Sequence, residues 1–236
     1  MVRSHTFAPG VYAHICNRGV RKMPIRREEN DFWRLLFNLF YFNHTDRVPE
    51  HWRRDLEHLG GPAQFIWPEA WGEREPLVAI LAFDLMPNHL HLMLKELVEG
   101  GISKFAHRVL MGYAKFINEK YDESGSLFQG PFRSRLVIDD TDFRNLAVYV
   151  MVKNPFELYP GGLKNAIENF DDAYERAIKS PFNSLADYAG KRESQIIDKD
   201  LLGELFETPD SFKEFARETM LNKLDELEAL SQEFGF

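Results

Sequence analysis

The chain has 236 residues and a mass of 27.6 kDa, with 44% hydrophobic and 28% charged residues, proportions that suit a globular protein with a sizeable core. One cysteine, Cys16, excludes an internal disulfide framework and a cysteine-rich zinc module. The net charge of −8 is unevenly placed: residues 1–150 carry 19 basic and 19 acidic side chains and residues 151–236 carry 10 and 18, so a nucleic-acid partner for the first part is not excluded. No apolar run approaches the roughly 18 residues of a membrane helix. The opening MVRSHTFAPGVY lacks the apolar core of a signal peptide, so the expected compartment is the cytoplasm.

In chain order, residues 11–17 read as a strand closed by the Arg18-Gly19 turn. Residues 26–43 read as a helix, with Phe32, Leu35, Leu36, Leu39 and Phe40 on one stripe of period 3.6. Residues 43–71, broken by Gly60-Gly61-Pro62 and Pro68, read as an irregular insertion or lid. LVAILAFDLM (77–86) is a buried strand, Pro87-Asn88 breaks it, and HLHLML (89–94) is an alternating strand that closes a hairpin. Residues 103–120 form an amphipathic helix, with Phe105, Val109, Tyr113, Phe116 and Ile117 on its apolar face. GSLFQGPFRSRLV (125–137) reads as a loop and strand. Thr141 is the expected cap of a helix over 142–153 that stops near Pro155. Beyond residue 162 the chain reads as short helices with acidic faces, the last over 211–233, packed away from any nucleic-acid groove. This order predicts an α+β fold, an antiparallel sheet with packed helices and a helical C-terminal extension. The expected domains are residues 1–162 and 163–236.

Three segments carry chemistry. In Met86-Pro87-Asn88-His89-Leu90-His91, period two puts His89 and His91 on one face of a strand, where two imidazoles either hold a divalent ion or sit on a solvated sheet face. In residues 125–135, rings mixed with Arg133 and Arg135 suit base stacking and phosphate contacts, or else an ordinary turn with core phenylalanines. Tyr149, on the apolar helix before Asn154-Pro155, is a core tyrosine or a nucleophile.

Taken as an ordered set, Tyr12-x-His14-x-x-Asn17-Arg18-Gly19, then the Met86–His91 segment, then Gly125-x-Leu127-Phe128-Gln129-Gly130-x-Phe132-x-Ser134, then Tyr149-Val150-x-x-x-Asn154-Pro155, the chain resembles the single-tyrosine HUH transposases, in particular the REP-associated tyrosine transposases. The resemblance covers about residues 8–160. It implies a ferredoxin-like HUH core in which His89 and His91 bind Mg²⁺ or Mn²⁺ together with Asn154. It makes Tyr149 the nucleophile that leaves a 5′-phosphotyrosine and a free 3′-OH, and makes Arg18, Gln129, Arg133 and Arg135 contacts to single-stranded or hairpin DNA. Such a protein acts as a monomer or a homodimer.

One spacing departs from that pattern. The family places its asparagine four residues after the tyrosine, whereas Tyr149 and Asn154 are five apart and Lys153 holds the fourth position. Either a wider helical turn brings Asn154 round or the ligand is lost, which would leave a domesticated, non-cutting DNA-binding protein. Tyr113 and Tyr121 are the fallback nucleophiles, and a hydrolase of small phosphodiesters built on His89 and His91 is the third reading.

Overall fold

The computed structural model describes residues 7–46, 48–52 and 65–233. Four strands, β1 (Tyr12–Arg18), β2 (Val78–Met86), β3 (His89–Glu96) and β4 (Arg133–Leu136), form one antiparallel sheet in the order β2-β3-β1-β4. Part of the 43–71 insertion, residues 47 and 53–64, lies outside the described residues, and residues 69–71 form a short 3₁₀ turn.

Helices cover both faces of the sheet, the expected α+β arrangement. On one face, Ile15, Phe83, Leu85, Leu90, Leu92 and Leu94 pack against α1 (Asp31–Tyr41) and α2 (Gly101–Tyr121) through Phe32, Leu35, Leu39, Phe105, Val109 and Tyr113. On the other, Ala82 and Met93 pack against α3 (Asp140–Val148) and the turns that follow it. β2 reads as an unbroken apolar run because both its faces are covered and its side chains divide between the two cores; a bulge between Ile80 and Ala82 leaves Leu81 out of the ladder.

α3 starts two residues earlier than Thr141 suggests, because the carboxylate of Asp139 accepts from the Asp142 amide at 2.9 Å and serves as the cap. The helix then continues as a single π turn (Tyr149–Lys153) and a last α turn (Asn154–Phe156). The C-terminal region comprises α4 (Gly162–Glu168), α5 (Phe170–Ile178), α6 (Leu185–Tyr188), α7 (Asp200–Leu205), α8 (Pro209–Asn222) and α9 (Leu224–Glu233). The single helix expected over 211–233 is thus two, broken at Lys223, with Thr208 and Ser211 forming a capping box at the start of α8. Their apolar faces, including Leu185, Leu202, Phe212, Ala216 and Leu227, share one continuous core with Leu146 to Val152. Among the described residues, no helix is long and apolar enough to cross a membrane.

Candidate active site

Period-two alternation on β3 puts His89 and His91 on the face opposite Leu90 and Leu92. The register sets Arg18 across from His89, Cys16 across from His91 and His14 across from Met93 on β1, with Asp84 across from His91 on β2. Directly opposed residues share a face, so one polar row crosses the sheet. The solvated-face alternative fails, because α3 and the π turn bury this row: His91 and His14 are 0% exposed and His89 is 7% exposed.

Hydrogen bonds orient both imidazoles. His89 Nδ1 lies 2.6 Å from Asn88 Oδ1. Asn88 Nδ2 donates to the Lys22 carbonyl, which fixes Oδ1 toward the ring; since that oxygen only accepts, His89 donates from Nδ1. His91 Nδ1 lies 2.9 Å from His14 Nε2, and the two rings are nearly coplanar, edge to edge, with centroids 5.1 Å apart and planes 10° apart. Burial, then the Arg18 and Lys153 charges, hold His89 down to about 3; burial and Arg135 do the same to His14. His91 is held well below its ordinary value by burial first, then by His89, His14 and Lys153. All three rings are therefore neutral at pH 7 and each keeps one nitrogen lone pair.

The Tyr149 ring stands edge-on to His91 (5.2 Å, 88°) and to His14 (6.0 Å, 82°). The ammonium of Lys153 lies 5.4 Å from its ring centre and pairs with Glu157. In the π turn the Asn154 amide donates to the Tyr149 carbonyl, a five-residue bond in place of the α-helical four. Tyr149, Lys153 and Asn154 all line one cavity of about 660 Å³ with Arg18, Lys22, Asn88 and His89. Its cationic wall faces Glu157 and, from α9, Glu228 and Gln232. The C-terminal region therefore reaches the site rather than packing away from it.

Arg18, His89, Tyr149 and Asn154 thus meet around one cavity, with His91 beside His89 on the buried row (ring centroids 4.9 Å apart). The other expected DNA contacts stand apart. Gln129 is exposed, and its amide donates to the Arg18 carbonyl at 2.8 Å. Arg133 and Arg135 lie on edge strand β4, across from Cys16 and His14. Arg133 is exposed, whereas Arg135 is only 12% exposed and donates to Asp142 at 2.8 Å, tying β4 to the start of α3. The fallback nucleophiles sit on α2, across the sheet from the histidines: Tyr113 is buried in the first core and Tyr121 donates to Asp31.

The rest of the Asn-Arg-Gly and Gln-Gly motifs is structural. Asn17 accepts from the Arg18 amide and donates to the Gly130 carbonyl, and Gly19 bridges to Phe128. A Cβ on Gly19 would lie 2.0 Å from the Met23 carbonyl oxygen, so only glycine fits.

Sequence reasoning gave no role to His14, Asp84 or Glu228. The first two were accessible from strand register; the third needed the path of α9. Asp84 accepts from Asn183 at 2.8 Å, and burial pushes its carboxyl up to about 8, opposed by that bond and reinforced by Glu157.

Among the described residues, no three His, Cys, Asp or Glu side chains gather as a metal cage, so a divalent ion would rely on His89, His91 and the Asn154 carboxamide. The residues fit that task. Both imidazoles are neutral, and Asn154 is buried with its Nδ2 lacking a hydrogen-bond partner among the described residues, so that its carboxamide turned over would present Oδ1, a ligand that hard cations accept.

No protein-family model matches this chain, and no curated protein matches it. Among solved structures, that of a REP-associated tyrosine transposase bound to a REP hairpin is similar, with a TM-score of 0.46 and 11% identity over 84% of this chain and 93% of that one. A likeness this distant does not carry function.

Proposed function

We propose that the chain cuts and rejoins single-stranded DNA beside hairpins, with Tyr149 as nucleophile. The observation that carries this reading is the shared cavity: one phenol, one imidazole of a neutral pair, one buried carboxamide and an arginine converge on a space the size of a small-ligand site.

In this account Arg18, Lys22 and Lys153 hold the phosphates of the incoming strand. Tyr149 Oη attacks the scissile phosphorus and its proton passes to water. The P–O3′ bond breaks, and the departing oxygen takes up a proton as a 3′-OH. The new phosphotyrosine ester conserves the energy of the broken bond, so reversal rejoins strands without a nucleotide cofactor. Lys153, 5.4 Å from the ring centre, stabilises negative charge as it forms on the phenol. His89, His91 and Asn154 would hold a Mg²⁺ or Mn²⁺ ion, which would supply polarisation of the phosphate and charge neutralisation.

The test is a denaturing gel of the full chain mixed with end-labelled single-stranded DNA and Mn²⁺. A covalent adduct lost in His89→Ala supports the proposal. Binding without adduct supports the non-cutting regulator, and multiple turnover without adduct supports the hydrolase.

A further inference from the structure

The hydrogen bond between His14 and His91 has two possible senses, and they differ in chemistry. Cys16 stands opposite His91, which makes His14 the diagonal neighbour of His91 on the same sheet face. The His14 Nε2 to His91 Nδ1 distance is 2.9 Å, both rings are fully buried, and Tyr149 stands edge-on to both. Two neutral imidazoles joined nitrogen to nitrogen share one proton between them. If His14 donates, the proton of His91 sits on Nε2, and that nitrogen cannot bind a cation. If His91 donates, its lone pair sits on Nε2.

His89 is already committed. Its Nδ1 donates to Asn88 Oδ1, so its lone pair is on Nε2. The two histidines act as a matched pair only if His91 adopts the same tautomer.

We infer that His14 is a positioning residue: its Nε2 accepts the Nδ1 proton of His91, fixing His91 as the tautomer whose Nε2 can ligate a divalent cation. The inference rests on the proposed metal-dependent reading, but its first readout needs no metal. His14 is not among the residues that line the cavity; it acts through His91. Two features make it effective. The in-plane, edge-to-edge hydrogen bond holds the ring of His91 at a set angle, and burial denies the His91 Nδ1 proton a replacement water. Outer partners of this kind are typically worth about 10- to 100-fold in metal affinity.

The experiment uses the full chain with ¹⁵N-labelled histidine. Long-range ¹H–¹⁵N spectra of the metal-free protein read the tautomer of each ring, with His91→Ala assigning the signal. The expected result is His91 protonated on Nδ1; protonation on Nε2 overturns the inference. Mn²⁺ affinity, read by electron paramagnetic resonance, is then compared in two variants. His14→Gln keeps an acceptor and loses the ring; His14→Phe keeps a buried ring and loses the acceptor. The inference expects Gln to stay within about threefold of the parent and Phe to weaken binding by about 10- to 100-fold. The reverse order assigns His14 a packing role and overturns it. If the parent binds Mn²⁺ no better than His89→Ala does, the proposed metal-dependent function fails, while the spectra still decide the role of His14.

Discussion

The backbone amide of Asn154 donates to the carbonyl of Tyr149, five residues back, in a single π turn set between two α-helical stretches. In a continuous α-helix, residues five apart point about 140° apart and Asn154 would turn away from Tyr149. The wider turn absorbs the additional residue, and Tyr149, Lys153 and Asn154 all line the same cavity. Single π turns of this kind are frequent at functional sites.

If the π turn is one inserted residue, removing one residue should restore a plain α-helix without disturbing either end. Deleting Lys153 makes the spacing Tyr-x-x-x-Asn. The account expects a folded protein that still binds Mn²⁺ and still forms adduct, at a rate lowered by the loss of the ammonium. Helical content by circular dichroism and adduct yield check this; a folded protein with no Mn²⁺ affinity would show that the insertion is needed rather than tolerated.

Glu228 of α9, like Glu157, lines the cavity whose cationic side chains are Arg18, Lys22 and Lys153. A carboxylate there repels a phosphate backbone. Glu228→Gln should tighten single-stranded DNA binding severalfold at low salt, with the gain shrinking toward 0.15 M, where the screening length is about 8 Å. A titration followed by fluorescence anisotropy at two salt concentrations measures it. Unchanged affinity at low salt would place the DNA elsewhere.

Arg18 and Arg135 should separate. Arg18 lines the cavity, so Arg18→Ala should reduce the salt slope of DNA binding by about one. Arg135 is mostly buried and tied to Asp142, so Arg135→Ala should lower the melting temperature and leave the slope alone. The breaking of a partly buried pair costs on the order of 1–3 kcal/mol. A slope change in Arg135→Ala would return it to the DNA contacts.

Asp31 fixes the acid side of stability. Burial alone would raise its carboxyl. The amides of Glu28 and Arg27, the Lys120 ammonium and the Tyr121 hydroxyl outweigh that and hold it below its ordinary value. A depressed folded-state pKa gives stability that is fully present above the unfolded value, near 4, and lost as pH falls through the folded one. Asp31→Asn should cost roughly 2 kcal/mol at pH 7. The gap to the parent should close below about pH 4. Urea unfolding at pH 7 and pH 3 tests the sign; a gap that widens in acid would contradict it.

Much of the fold was legible because hydrophobic period tracks burial. The sheet's alternating strand 89–94, the α2 stripe and the hairpin at Pro87-Asn88 are local patterns that burial reinforces. What the sequence hid is long-range. The apolar run 77–86 concealed a bulge, since both faces of β2 are covered and nothing alternates. The five-residue gap between Tyr149 and Asn154 could be read as a wider turn or as a lost ligand, and only the backbone decides which. His14 looked like one more motif position until β1 was registered against β3. The acidic charge of the C-terminal helices suggested distance from DNA, but the burial of Leu227 in the second core brings Glu228 to the cavity.

The central claim is that Tyr149 is the nucleophile, and the most direct measurement is the site of covalent attachment. The full chain is incubated with single-stranded DNA and Mn²⁺, the adduct is digested with protease and nuclease, and the modified peptide is sequenced by mass spectrometry. The account predicts a nucleotide on Tyr149 and no adduct in Tyr149→Phe, a change that removes one oxygen from a side chain that is 1% exposed and leaves its packing intact. Attachment at another residue, or adduct formation that survives Tyr149→Phe, would contradict it.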